Sequence, residues 1–121
     1  MTHHMNLNPQ PFSMIAEGKK TIELRLWDEK RQRISAHDTL IFTNTADPSA
    51  VLQCKVKALH LFPDFAELYR ELPLDKCGYL PAELETAAPE DMDAYYSKEQ
   101  QQKYGVVGIE ITDISTLPST D

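Results

Sequence analysis

The stretch Gly18-Lys19-Lys20-Thr21-Ile22-Glu23-Leu24-Arg25-Leu26-Trp27 decides how this chain folds. From Thr21 to Trp27 polar and apolar residues alternate without a break, the signature of a strand whose side chains point to opposite faces in turn. Ile22, Leu24 and Leu26 share one face, which belongs to the core. Thr21, Glu23, Arg25 and Trp27 share the other, so Glu23 and Arg25 sit side by side. Ahead of the strand, Phe12, Ile15 and Ala16 recur at helical spacing. Asn8-Pro9-Gln10-Pro11 forms the turn that starts this helix, and Gly18 is its stop signal. A short helix over 10–17 is predicted. Lys20 stands just before the regular strand and is free to swing to either face.

Further strands are predicted over 39–43 and 50–61. In the second, Leu52, Cys54, Val56 and Ala58 alternate with polar residues, and a phase shift at Leu59 and Leu61 predicts a bulge there. Pro63-Asp64 opens a helix with an apolar stripe of Phe65, Leu68, Tyr69 and Leu72. Residues 74–89 carry Pro73, Gly78, Pro81 and Pro89 at or near their ends and middle and read as an irregular excursion, followed by one or two helical turns over 89–95. Ser97-Lys98-Glu99-Gln100 has the capping-box pattern, and its helix runs to Lys103 and stops near Gly105. A last strand over 106–114 and a frayed tail over 115–121 complete the chain. Strands so far apart in sequence must close around one core. The expected fold is α+β, a single domain over 1–114 built on a small, partly closed β-barrel with flanking helices.

Of the 121 residues, 41% are hydrophobic and 26% charged, an ordinary composition for a folded soluble domain. No apolar run reaches the ~20 residues of a membrane helix. The first residues lack the basic end and apolar middle of a signal peptide, and two cysteines make no disulfide scaffold, so a cytoplasmic location is expected. The net charge of −7 argues against a broad double-stranded DNA surface. The charge is uneven: residues 19–33 hold half of all Lys and Arg, while the chain from Asp64 onward is strongly acidic. A basic patch on an acidic body suits a small anionic ligand or a short RNA. The acidic second half alone suits a protein-interaction module.

There is no glycine-rich phosphate loop, no HExxH and no CxxC, and the histidines are scattered; no metal and no cofactor are expected. Cys54 lies on the apolar phase of a strand, and Cys77, beside Gly78, lacks the neighbours that activate a thiol. The chemistry is therefore concentrated in Lys20, Glu23 and Arg25. Arg25 offers a planar fork of donors, holds Glu23 ionised, and leaves Lys20 as a base or nucleophile in reach of both. The alternative is an exposed Glu23–Arg25 ion pair worth roughly 0–1 kcal/mol and without function.

The block from Glu17 to Arg31 resembles the ASCH family, small domains with a PUA-like fold whose hallmark G-x-K-x-x-E-x-R falls here on Gly18, Lys20, Glu23 and Arg25. His3, Met5 and Leu7 ahead of Pro11-Phe12, and Tyr104 to Glu110 near the end, extend the similarity across about 1–114. The resemblance implies a cleft between barrel and helices, lined by the motif, that recognises RNA or a modified nucleoside. In that light Trp27 stacks a base or packs under a helix, Lys30 and Arg31 contact phosphate, and Tyr95 and Tyr96 are packing residues. Two departures stand out. His37-Asp38 replaces the Gly-Asp turn of many relatives. Some bacterial relatives deacylate N4-acetylcytidine with a Lys, a Thr and a later Glu; Lys20 matches, Glu23 stands at the Thr, and Glu67, Glu71 and Glu83 are candidates for the last. A hydrolase using Lys20 and Glu23, either an amidohydrolase or a ribonuclease, is the catalytic alternative.

Overall fold

The computed structural model describes residues 1–117. In chain order the elements are β1 (Thr2–Leu7), α1 (Pro9–Ala16), β2 (Ile22–Leu26), β3 (Thr39–Asn44), β4 (Asp47–Phe62), α2 (Phe65–Glu71), α3 (Lys98–Tyr104) and β5 (Val106–Leu117). Short 3₁₀ turns occupy Arg31–Arg33, Leu74–Cys77, Pro81–Glu83 and Pro89–Ala94. The five strands form one sheet in the order β1-β3-β4-β5-β2, curled into a half-barrel with helices at its flanks. β1 runs parallel to β3, and the remaining neighbours are antiparallel. The fold is α+β with a partly closed barrel, as the sequence predicts. β1 and β2 are the edges that do not pair, and the seam between them positions the site.

Helix ends follow local chemistry. Asp64 caps α2 by accepting from the Glu67 N–H, and Ser97 and Gln100 close the capping box of α3. α3 stops at Gly105, whose φ of +71 lies in the region that favours glycine. Phe65, Leu68 and Tyr69 of α2 are buried against Ile22, Leu24, Leu26 and Val106. On the other face of the sheet, Leu40, Phe42, Leu52, Val56, Val107 and Ile109 form the barrel interior, closed by Phe12 and Ile15 of α1. The register sets Glu23 opposite Ile109 and Arg25 opposite Val107. The charged face of β2 is therefore turned into the barrel, and its apolar face packs under α2. Both faces are covered, and Glu23 is only 4% exposed, which removes the solvent-exposed ion pair as a description of this segment.

Three sequence expectations shift. The register irregularities of β4 against β5 lie at Gln53/Lys55 and Val56/Ala58, ahead of the bulge read at Leu59 and Leu61. Ser115 to Leu117 continue β5 beside Gln53, Leu52 and Val51 and are not frayed; the rest of the expected tail, 118–121, lies outside the described residues. The strand β1 has no counterpart in the sequence reading, and His3 belongs to it.

β1 is tied down by more than its ladder. His3 Nε2 lies 2.8 Å from Asp38 Oδ2, and the Ser35 N–H donates to the same oxygen at 3.0 Å. His37 adopts φ +75, a conformation that costs a residue with a Cβ. Asp38 holds this turn together. Its carboxyl is drawn down to about 2, first by the hydrogen bond with His3 and then by Ser35. A carboxyl whose folded value lies below its unfolded one stabilises above the ordinary carboxylate range and loses that contribution as pH falls. The urea midpoint is accordingly expected to drop between about pH 4 and pH 2, with a component that Asp38→Asn abolishes. An unchanged pH dependence in that variant contradicts this role of the turn.

Candidate functional site

The site begins where α1 ends. The N–H groups of Lys19 and Lys20 both close on the Met14 carbonyl, at 2.9 and 3.1 Å, and Gly18 adopts φ +78 to make the turn. This aims Lys20 inward, and the Thr21 N–H donates to the Lys76 carbonyl at 2.9 Å, docking the 74–77 turn onto the start of β2. The Lys20 stem then runs across Gly78. A Cβ on Gly78 would lie 3.3 Å from Lys20 Cδ, and Gly78 itself has φ +109, so glycine is needed there for two separate reasons.

Lys20 Nζ reaches Glu23 Oε1 at 2.7 Å, and Arg25 Nε donates to Glu23 Oε2 at 2.8 Å. Each carboxylate oxygen thus has its own cation. Arg25 Nη2 also donates to the Asn6 carbonyl of β1 at 2.8 Å, bridging the open seam of the half-barrel. Burial pushes the Glu23 carboxyl up, but the charges and hydrogen bonds of Lys20 and Arg25 outweigh it and hold the group below its ordinary value. Glu23 is an ionised, oriented acceptor inside the protein.

These three residues line a cleft of about 390 Å³, within the size range of small-molecule sites. Pro11 and Met14 of α1 form one wall, Tyr69 of α2 and the 77–96 segment the other. Tyr96 is fixed by stacking on Phe65, with ring centroids 6.3 Å apart, whereas Tyr95 is 66% exposed at the mouth. The Tyr69 and Tyr79 hydroxyls are 2.7 Å apart, and Tyr79 donates to Asp91 Oδ2 at 2.7 Å. Cys77 also lines the cleft, but burial pushes its thiol up to about 12, as it does for Cys54 in the barrel core, so neither is a thiolate at neutral pH.

The structure brings Lys20, Glu23 and Arg25 together and leaves Trp27, Lys30 and Arg31 outside the cleft lining. Trp27 packs against the barrel core. Arg31 pairs with Asp28 at 3.1 Å, and Lys30 is exposed beside it. Of the three later glutamates only Glu83 lines the cleft; Glu67 and Glu71 do not. Tyr69, Tyr79, Asp91, Tyr95 and Tyr96 also line the cleft, and the sequence marks none of them as a site residue: Tyr69 falls on the apolar stripe of α2, and Tyr95 and Tyr96 read as packing residues. The available signal was four tyrosines in or beside an aperiodic, proline-rich excursion. Among the described residues no three His, Cys, Asp or Glu converge on a metal position, and no helix is long and apolar enough to cross a membrane.

Removing Glu23 leaves the buried Lys20 and the half-buried Arg25 without their counter-charge, so Glu23→Ala is expected to lower the unfolding free energy by about 3–5 kcal/mol in urea denaturation. A loss under about 1 kcal/mol, the range of an exposed pair, contradicts the burial described here. Gly78→Ala is expected to cost roughly 1–3 kcal/mol through its backbone strain and to displace Lys20.

The sequence matches the model of the ASCH domain over residues 5–115. Among solved structures it is similar to the hypothetical protein PH0355, with 33% identity, a TM-score of 0.75, and coverage of 92% of this chain and 97% of that one. Protein PF0455 from Pyrococcus furiosus is 32% identical over 92% of this chain and 96% of its own, with a TM-score of 0.67. A point mutant of ZmASCH from Zymomonas mobilis shares the fold at 13% identity, with a TM-score of 0.70 over 99% of this chain and 75% of its own. Among curated proteins none matches significantly. The half-barrel and these matches agree: the chain belongs to the ASCH family and has its PUA-like fold.

Proposed function

We propose that this ASCH domain binds a nucleobase, carried by RNA or as a modified nucleoside, in the cleft of Lys20, Glu23 and Arg25. The observation that carries the reading is the ionised Glu23 carboxylate, held between two cations and buried at the wall of a cleft. A carboxylate so placed accepts hydrogen bonds from an amino-bearing base edge, as acidic side chains do toward cytosine N4. Arg25 orients Glu23 and presents its remaining N–H groups to the ligand. Tyr95 and Tyr96 supply aromatic faces of the kind on which bases stack. Membership in a family of RNA-binding type supports the same ligand class.

Arg25→Ala is expected to abolish the rise in melting temperature that a binding nucleoside gives the wild type, measured across a panel of nucleosides and short RNAs. Unchanged shifts in the variant would place the site elsewhere.

A second reading makes the cleft catalytic, and the 2.7 Å contact of Lys20 Nζ with Glu23 Oε1 favours it, because a proton donor and a proton acceptor stand together in a sheltered site. The reaction is hydrolysis of an N4-acylcytidine: water adds to the acyl carbon, the C–N4 bond breaks, and a carboxylate and cytidine leave. Chromatography of N4-acetylcytidine incubated with wild type and with Lys20→Ala tests it, with turnover expected only in the wild type. Equal turnover in both contradicts the assignment of Lys20.

A further inference from the structure

The side of the cleft formed by Tyr69 and the 77–96 segment carries its own chemistry. Tyr79 spends its single O–H on Asp91, so the 2.7 Å contact between the two phenols requires Tyr69 to donate to Tyr79. Both phenolic protons are consumed inside the protein. Burial, with the hydrogen bonds to Tyr69 and Asp91, pushes the Tyr79 phenol far above its ordinary range, so this arrangement persists at neutral pH. Asp91 Oδ2 also accepts from the Ala88 N–H at 3.2 Å, and Glu83 Oε1 accepts from the Leu80 N–H at 2.8 Å. What this wall has left to offer is acceptors: the second oxygens of Asp91 and Glu83 and the phenolic lone pairs.

The cations cannot offset it. Lys20 and Arg25 are the only Lys and Arg in the lining, against Glu23, Glu83 and Asp91, and both are already engaged by Glu23. Asp91 and Glu83 are exposed to solvent, whereas Lys20 is buried. A phosphate at neutral pH carries negative charge and almost no donors, so it meets repulsion and no partner at this wall. A sugar hydroxyl brings the donor the wall lacks.

We infer that Asp91 and Glu83 are specificity-determining residues that select an uncharged, hydroxyl-bearing ligand, a free nucleoside, over its phosphorylated form. The inference rests on the base-binding reading above and narrows it.

The test is isothermal titration of the full chain with cytidine, adenosine, guanosine and uridine, each beside its 5′-monophosphate, and with a short single-stranded RNA. The nucleoside that binds is expected to bind at least about tenfold more tightly than its monophosphate, as like-charge juxtaposition dictates. In Asp91→Asn/Glu83→Gln, which keeps the shape of both side chains, that gap is expected to shrink to less than about threefold, because the repulsion is gone. Circular dichroism confirms that the variant is folded, and Asp91→Asn alone, expected to close part of the gap, serves if the double variant is not. A monophosphate or the RNA binding as tightly as the nucleoside overturns the filter and leaves the base-binding site standing. Discrimination that survives in the variants overturns the assignment to Asp91 and Glu83. No binding by any nucleoside, nucleotide or RNA overturns the base-binding reading and the filter with it.

Discussion

An ionised carboxylate inside a protein is unstable unless something replaces the water it has lost, and in this chain Lys20 and Arg25 replace it for Glu23. Much of the surrounding structure exists to bring those two cations to it. Gly18 turns the chain so that Lys20 enters the barrel, and Gly78 gives way to the Lys20 stem. Arg25 reaches Glu23 along the same strand and still spans the seam to Asn6. A small open barrel has two unpaired edges, which proteins usually blunt or cover. Here the edge is joined by a side chain rather than by a ladder, and the gap that remains is the cleft.

The same arithmetic gives the cleft its character. Lys20 and Arg25 bring two positive charges against the three negative ones of Glu23, Glu83 and Asp91 in the lining, so the two cations give the cleft no positive surplus. Glu23 remains a directional acceptor and Arg25 a directional donor, the features that the proposed reading of a base edge requires. The 77–96 segment adds stacking faces and a wall of acceptors in a chain whose net charge is −7. The base-binding mode proposed for the cleft contrasts with proteins that grip nucleic acid through its backbone.

Much of this was legible in the sequence because β2, α2 and α3 announce themselves by strict periodicity and caps. The motif residues were legible for the same reason, since alternation places Glu23 and Arg25 on one face. Alternation does not say which face is inside, and in a curled sheet roofed by α2 both faces are covered; hence Glu23 is a buried triad member and not a surface ion pair. β1 escaped notice because Thr2-His3-His4-Met5-Asn6-Leu7 buries only Met5 and Leu7, and its identity as a strand depends on a parallel partner more than thirty residues away. The β4 irregularities are properties of a pair of strands and cannot be read from one of them. Tyr79, Tyr95, Tyr96 and Asp91 are not legible as site residues because no period governs the segment that carries them, and Tyr69 reads as core because it falls on the apolar stripe of α2; what aligns Tyr69, Tyr79 and Asp91 is a hydrogen-bond chain that only the fold assembles.

Base binding at the cleft lined by Glu23 and its two cations is tested most directly by ¹H–¹⁵N correlation spectra recorded during nucleoside titration. The account predicts that shifts concentrate at the Arg25 Nε–H that donates to Glu23, at the Gly78 amide beside Lys20, and at the Tyr95 and Tyr96 amides. Shifts confined instead to the Lys30–Arg33 surface or to α3, with the Arg25 resonance unmoved, would contradict it.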